Sequence, residues 1–86
     1  MFTVFVYADV VDTRSGHVSK GACIQQFKAQ GNHLADAIDE GEEHAFSLSD
    51  LHDNVEFAVW NERSRSIDFR GRPNRIIYDT KASNRT

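Results

Sequence analysis

Residues 36–53 carry a dense group of carboxylates and not one lysine or arginine. Its seven members are Asp36, Asp39, Glu40, Glu42, Glu43, Asp50 and Asp53. An ordinary exposed helix mixes the two signs of charge, because opposite charges three or four residues apart stabilise it. Here like charges repel, and such a field attracts a basic surface on another protein, including one that normally holds nucleic-acid phosphates.

This charge pattern predicts a small protein-binding module, an inhibitor or adaptor, whose partner is a larger protein with a basic surface. The residues that we expect to contact the partner are Asp36, Asp39, Glu40, Glu43, Asp50 and Asp53. Binding of this kind would mimic nucleic-acid phosphates if the partner handles nucleic acid. The alternative is a solvated face that only keeps a small protein from aggregating.

The last third of the chain is instead rich in arginine, which holds phosphate groups in a bidentate way. The residues concerned are Arg63, Arg65, Arg70, Arg72 and Arg75, with Trp60, Phe69 and Tyr78 among them. Basic and aromatic residues interleaved in this way predict an alternative function, nucleic-acid binding. Asp68 and Asp79 dilute the patch, and the net charge of −3 and pI of about 5.7 are unusual for a dedicated nucleic-acid binder.

A metal or catalytic site is the third possibility. His33, Glu40 and His44 fall within about 40° of one another on a helix, and both side-chain types bind metals. The alternative is a polar face exposed to solvent. The sequence has no H-E-x-x-H, nucleophile-elbow or phosphate-loop motif. We therefore expect neither an enzyme nor a cofactor.

Trp60 is the single tryptophan, and it closes a stretch with strand periodicity. Val55, Phe57 and Val59 share one face of that strand, so Trp60 falls on the other. We predict Trp60 as a partner-binding residue, either a hot spot or the contact of a homodimer through this sheet face. The alternative is burial under a loop or under the C-terminal segment.

Length and composition place these residues in one small domain over 1–80, with a polar and frayed tail over 81–86. A chain of 86 residues has a small core and little room for a deep cleft. Cys23 is the only cysteine, so no internal disulfide can form, and its apolar neighbours predict a buried thiol. Since no signal peptide or apolar run of about 18 residues is visible, we expect a cytoplasmic protein with no membrane span.

One segment, 32–46, has a clear helical period. Leu34, Ile38, Gly41 and Ala45 recur at steps of four, three and four, which defines an apolar stripe. Asn32 is the expected N-cap. Glycine inside a helix costs about 1 kcal/mol relative to alanine. We therefore expect Gly41 to pack closely against a sheet, and the alternative is that the helix stops there.

The remaining segments predict strands. Residues 2–11 are apolar on both faces, which indicates a central strand, and a turn over 12–17 leads to a second strand over 18–29. Gly21 interrupts that strand and predicts a bulge there; a helix over 21–30 is the alternative. Residues 55–60 and 67–70 form a hairpin, and 76–78 is a possible last strand. Leu48 and Leu51 should hold the loop after the helix against the core.

The order β-β-α-β-β predicts an α+β fold, a two-layer sandwich with one helix on a mainly antiparallel sheet of four or five strands.

Overall fold

The computed structural model describes residues 1–73, which form one antiparallel sheet and one helix. The elements are β1 Phe2–Val11, β2 Val18–Lys28, α1 Leu34–Leu48, β3 Asp53–Asn61 and β4 Ser66–Gly71. The strand order is β2-β1-β3-β4, with the helix connecting β2 to β3. The predicted α+β sandwich in β-β-α-β-β order is therefore confirmed. The possible strand over 76–78 and the predicted tail over 81–86 lie outside the described residues.

Strand β1 lies inside the sheet, as its apolar residues predicted. Val4 is opposite Phe27 of β2 and Val59 of β3, and Val6 is opposite Phe57. Val4, Val6 and Val59 are completely buried. These side chains share the face that the helix covers, because every second residue of a strand points to the same side.

The helix packs across β1 and β3 through its smallest residues. Ala37, Gly41 and Ala45 are buried there. A Cβ atom at Gly41 would lie 2.6 Å from Cδ2 of Phe57 and 3.1 Å from Cγ1 of Val4. The close packing predicted at Gly41 is confirmed, and the alternative that the helix stops there is wrong.

The N-cap lies one residue later than predicted, and the helix ends two residues later. The N-cap is His33, not Asn32. The Asp36 carboxylate accepts a hydrogen bond from the backbone N–H of His33 at 3.3 Å, and a carboxylate three residues into a helix selects the residue before the first turn as the cap. At the other end the helix continues to Leu48, and the Ser49 N–H donates to the Ala45 carbonyl at 2.9 Å.

Strand β2 is an edge strand with the predicted bulge, so the alternative helix over 21–30 is wrong. Gly21 has a φ of +63° and lies where the register with β1 shifts, between Ser19 and Ala22. Cys23 is exposed, contrary to the expected burial. It lies opposite Tyr7, on the face away from the helix, whereas its neighbour Ile24 packs against the core.

The loop after the helix is held to the core by Leu48 but not by Leu51. Leu48 packs against the buried cluster, whereas Leu51 is 77% exposed. The N–H groups of Leu51 and His52 both donate to the Leu48 carbonyl at 3.0 Å, which closes a tight turn. Leu51 lies at the outside of that turn, so the predicted core contact of Leu51 is wrong.

Within residues 1–73 the helix is neither long nor apolar enough to cross a membrane.

Candidate protein-binding surface

Three carboxylates form a line on the side of α1 that faces away from the sheet. We call Asp36, Asp39 and Glu43 the acidic ridge; all three are exposed. Asp39 and Glu43 are one helical turn apart, opposite the buried Gly41 and Ala45. The ion pairs between described residues join Lys28 to Glu62 and Arg72 to Glu56. No described lysine or arginine therefore neutralises the acidic ridge.

Glu40 differs from Asp39 and Glu43 because both of its carboxylate oxygens have partners inside the chain, and Asp36 has one such partner, the His33 N–H. Its two carboxylate oxygens accept hydrogen bonds from the backbone N–H groups of Gln30 and Gly31, at 2.8 and 3.0 Å. Glu40 is half-buried and ties the connection before the helix to the helix itself. The sequence spacing did not indicate this role, since the two amides lie nine and ten residues upstream.

His33, Glu40 and His44 do not come together as a metal site. The His44 ring lies against Phe27, with centroids 4.1 Å apart, and its Nδ1 is 3.3 Å from Oε1 of Gln25. Within residues 1–73 no group of three or more histidine, cysteine or carboxylate side chains is placed to hold a metal ion.

Apolar side chains are exposed beside the last two predicted carboxylates, Asp50 and Asp53. Leu51 and Val11, which we call the apolar tip, are 77% and 54% exposed and line one shallow cleft with Asp53. Leu51 was missed as a surface residue because its spacing from Leu48 suggested a core position. An exposed leucine flanked by carboxylates offers a partner apolar area to bury next to charge.

A polar clamp positions this end of the sheet. The Asp9 carboxylate accepts hydrogen bonds from Nδ2 of Asn54 at 2.7 Å and from the Gly21 N–H at 3.1 Å. These bonds hold the pKa of Asp9 below its ordinary value, and the bond from Asn54 contributes most to this lowering. Asp9 lies opposite Asp53 in the β1–β3 register, so the clamp joins β1, β2 and β3 at the end of the sheet next to Asp53.

The predicted arginines are divided between a turn and a strand. Arg63 and Arg65 are exposed in the β3–β4 turn, at the opposite end of the sheet from the apolar tip. Arg70 and Arg72 are exposed at β4 and just beyond it, and Nη2 of Arg72 is 3.8 Å from a Glu56 carboxylate oxygen. Arg75 lies outside the described residues.

Trp60 lies on the sheet face away from the helix, as the alternation predicted. It is half-buried and is opposite Thr3 of β1 and Ile67 of β4. Trp60 and the acidic ridge are therefore on opposite sides of the sheet. They cannot take part in one contact with the same partner surface.

Comparisons of the chain with protein-family models, with curated proteins and with solved structures gave no match.

Proposed function

We propose that the protein is a small binding module, an inhibitor or adaptor, that uses the acidic ridge and the apolar tip against a basic surface of a larger partner. The observation that carries this proposal is the exposed ridge of Asp36, Asp39 and Glu43 without a described lysine or arginine beside it. Folding does not need such an arrangement, since like charges on one helix face are destabilising.

The charge density of the acidic ridge supports mimicry of nucleic-acid phosphates. Asp36 and Glu43 are seven residues apart, and each residue of a helix rises by about 1.5 Å. The three carboxylates of the acidic ridge therefore provide about one charge per 5 Å along the helix. One strand of duplex DNA has about one charge per 3.4 Å. A basic groove that holds phosphates would thus meet a comparable field, and a bound helix would occlude that groove.

The apolar tip supports a second part of the contact. Charged groups at the rim of an interface mainly raise the association rate, whereas a buried apolar anchor slows dissociation. We assign the first role to Asp39 and Glu43 and the second to Leu51.

The compartment that we propose is the cytoplasm, because the lone cysteine can form no internal disulfide.

The test is a capture experiment with a charge-matched control. The double variant Asp39→Asn/Glu43→Gln removes two negative charges and leaves Asp36 and Glu40, which make internal hydrogen bonds, unchanged. The control Ser19→Lys/Gln26→Lys changes the net charge by the same amount on exposed positions of β2. Proteins captured from lysate by the wild type are identified by mass spectrometry and then titrated with each variant.

We expect the ridge variant to bind the captured partner at least about tenfold more weakly, with a smaller salt dependence, and the control to bind like the wild type. Leu51→Ser should raise the dissociation rate with little change in association. Equal binding by the ridge variant and the wild type would refute the proposal.

Nucleic-acid binding is the second candidate, and the exposure of Arg63 and Arg65 in the β3–β4 turn favours it. Arg63→Ala/Arg65→Ala should then weaken binding of a random single-stranded oligonucleotide and reduce its salt dependence. Absence of binding by the wild type at about 50 mM salt would exclude this candidate.

A further inference from the structure

The sheet has a second apolar surface, on the side away from α1. Its central side chains are Phe5, Tyr7, Ala58, Trp60 and Ile67, which we call the far face. The Phe5 and Tyr7 rings stack with centroids 6.5 Å apart. Phe5, Tyr7, Trp60 and Ile67 are half-buried, and Ala58, between Phe5 and Arg70 in the register, is 1% exposed. The far face is thus a packed surface, rich in the aromatic residues that interfaces favour.

Two ion pairs lie beside the far face, and the exposed Arg70 projects from the same side of the sheet next to Ala58. Nζ of Lys28 is 3.2 Å from a Glu62 carboxylate oxygen, and Arg72 pairs with Glu56. Lys28 and Glu56 lie opposite Thr3 and Tyr7, on this side of the sheet. Two copies of the far face can approach one another without strong repulsion from these paired charges, whereas the long Arg70 side chain must extend to the rim of the contact. The acidic ridge would repel its own copy.

The whole side of the sheet that contains the far face approaches the dimensions of a stable interface. Four strands at about 4.8 Å spacing and about nine residues long cover about 20 by 30 Å, or about 600 Å² in projection. Projecting aromatic side chains raise the accessible area above that value. Stable interfaces bury about 800 Å² on each partner.

We propose that the far face binds a second copy of this chain. The two sheets pack face to face about 10 Å apart around a two-fold axis, which forms a four-layer α/β/β/α sandwich. Trp60 and Tyr7 of each copy lie at the centre of the contact. Both acidic ridges face outward on opposite sides of the dimer, so this proposal does not depend on what the ridge binds.

The test uses the full chain and its single tryptophan. Sedimentation equilibrium from low-micromolar to near-millimolar concentration should show a transition from 9.8 kDa to twice that mass. Over the same range the fluorescence of Trp60, the only tryptophan, should shift to shorter wavelength with the same midpoint. The coincidence of the two curves would locate the contact at the far face.

Three variants complete the test. Trp60→Glu and Tyr7→Glu should each raise the dimer dissociation constant at least about tenfold. The control Leu51→Glu places the same charge on an apolar position outside the far face and should leave the constant unchanged. Circular dichroism checks that each variant is folded. If both far-face variants fail to fold, the wild-type mass and fluorescence curves still decide the question.

Other occupants of the far face give different results, and each would overturn the proposal. A monomeric mass with a blue-shifted Trp60 spectrum at every concentration indicates that the chain covers this face itself. A monomeric mass with Trp60 emission that changes only on addition of a single-stranded oligonucleotide indicates a nucleic-acid platform. A dimer that Trp60→Glu and Tyr7→Glu leave intact, with unchanged Trp60 emission, indicates another interface.

Discussion

Replacing Gly41 by alanine tests how closely the helix lies against the sheet. At an ordinary helical position this change stabilises a protein by about 1 kcal/mol, because glycine loses more backbone entropy on folding. At Gly41 the added methyl group would lie 2.6 and 2.9 Å from Cδ2 and Cε2 of Phe57 and 3.1 Å from Val4. Real Cβ atoms do not approach carbon this closely, so the helix or the Phe57 ring must move.

Movement of the Phe57 ring is costly. The ring is 2% exposed and already contacts Phe69, with ring centroids 5.6 Å apart. Overpacking a filled core costs about 1–3 kcal/mol, and the absence of free space around Phe57 places this case at about 2–3 kcal/mol. After the gain in helix propensity, the net loss of unfolding free energy should be about 1–2 kcal/mol. For a domain of this size that lowers Tm by about 4–16 °C.

Thermal and urea unfolding followed by circular dichroism measure this loss. Ala35→Gly, at an exposed position in the first turn of the same helix, is the control and should cost no more than about 1 kcal/mol, through propensity alone. Phe57→Leu removes Cε2, one of the two ring atoms that lie within 3 Å of the new methyl group. In that background Gly41→Ala should cost at least about 0.5 kcal/mol less than in the wild type. If Gly41→Ala leaves Tm unchanged or raises it, while Ala35→Gly lowers it, the close-packing argument is refuted.

Two further predictions concern the ends of the sheet and the loop after the helix. The lowered pKa of Asp9 means that its hydrogen bonds stabilise the fold above the unfolded pKa of about 3.9, and that this contribution is lost as pH falls through the folded value. The loss of Tm caused by Asp9→Ala should therefore be largest at neutral pH and become smaller below about pH 4. The control Asp39→Ala should cause no loss of Tm at neutral pH or below about pH 4. A loss for Asp9→Ala that does not depend on pH would contradict the assignment. Leu48→Ala should cost about 1–2 kcal/mol, because Leu48 is half-buried against the core, whereas Leu51→Ala should stay within about 0.5 kcal/mol. Equal losses for the two leucines in urea unfolding would show that Leu51 is not free of the core.

Much of the architecture could be predicted from local periodicity. The alternation in 55–60 placed Val59 and Trp60 on their observed faces, because the faces of a strand follow directly from residue parity, and the two apolar faces of 2–11 predicted its central position. The step pattern of the helix likewise predicted that Gly41 and Ala45 face the sheet. These signals lie within single elements, so one strand or one helix contains all the information required.

The errors occurred at the two ends of the helix and at a sheet edge, where residue type and spacing do not fix which local hydrogen bond or strand register forms. Asn32 was a reasonable N-cap by residue type, but the Asp36 carboxylate bonds to the His33 N–H instead. Leu51 had the spacing of a core residue, but the turn that closes on Leu48 leaves it outside. The burial expected for Cys23 failed because this residue pairs with Tyr7 on the sheet face away from the helix, in an edge strand.

The sequence by itself determined the layers of this protein and the run of carboxylates without a neighbouring lysine or arginine, because periodicity and composition are properties of the chain. Only the tertiary structure decided which carboxylates are available to a partner. Glu40 is held by two backbone amides of an earlier loop, whereas Asp39 and Glu43 face outward. It also decided that Phe5, Tyr7 and Trp60 lie together on the sheet face away from the helix, since that grouping depends on the register between β1 and β3, which are about fifty residues apart in sequence.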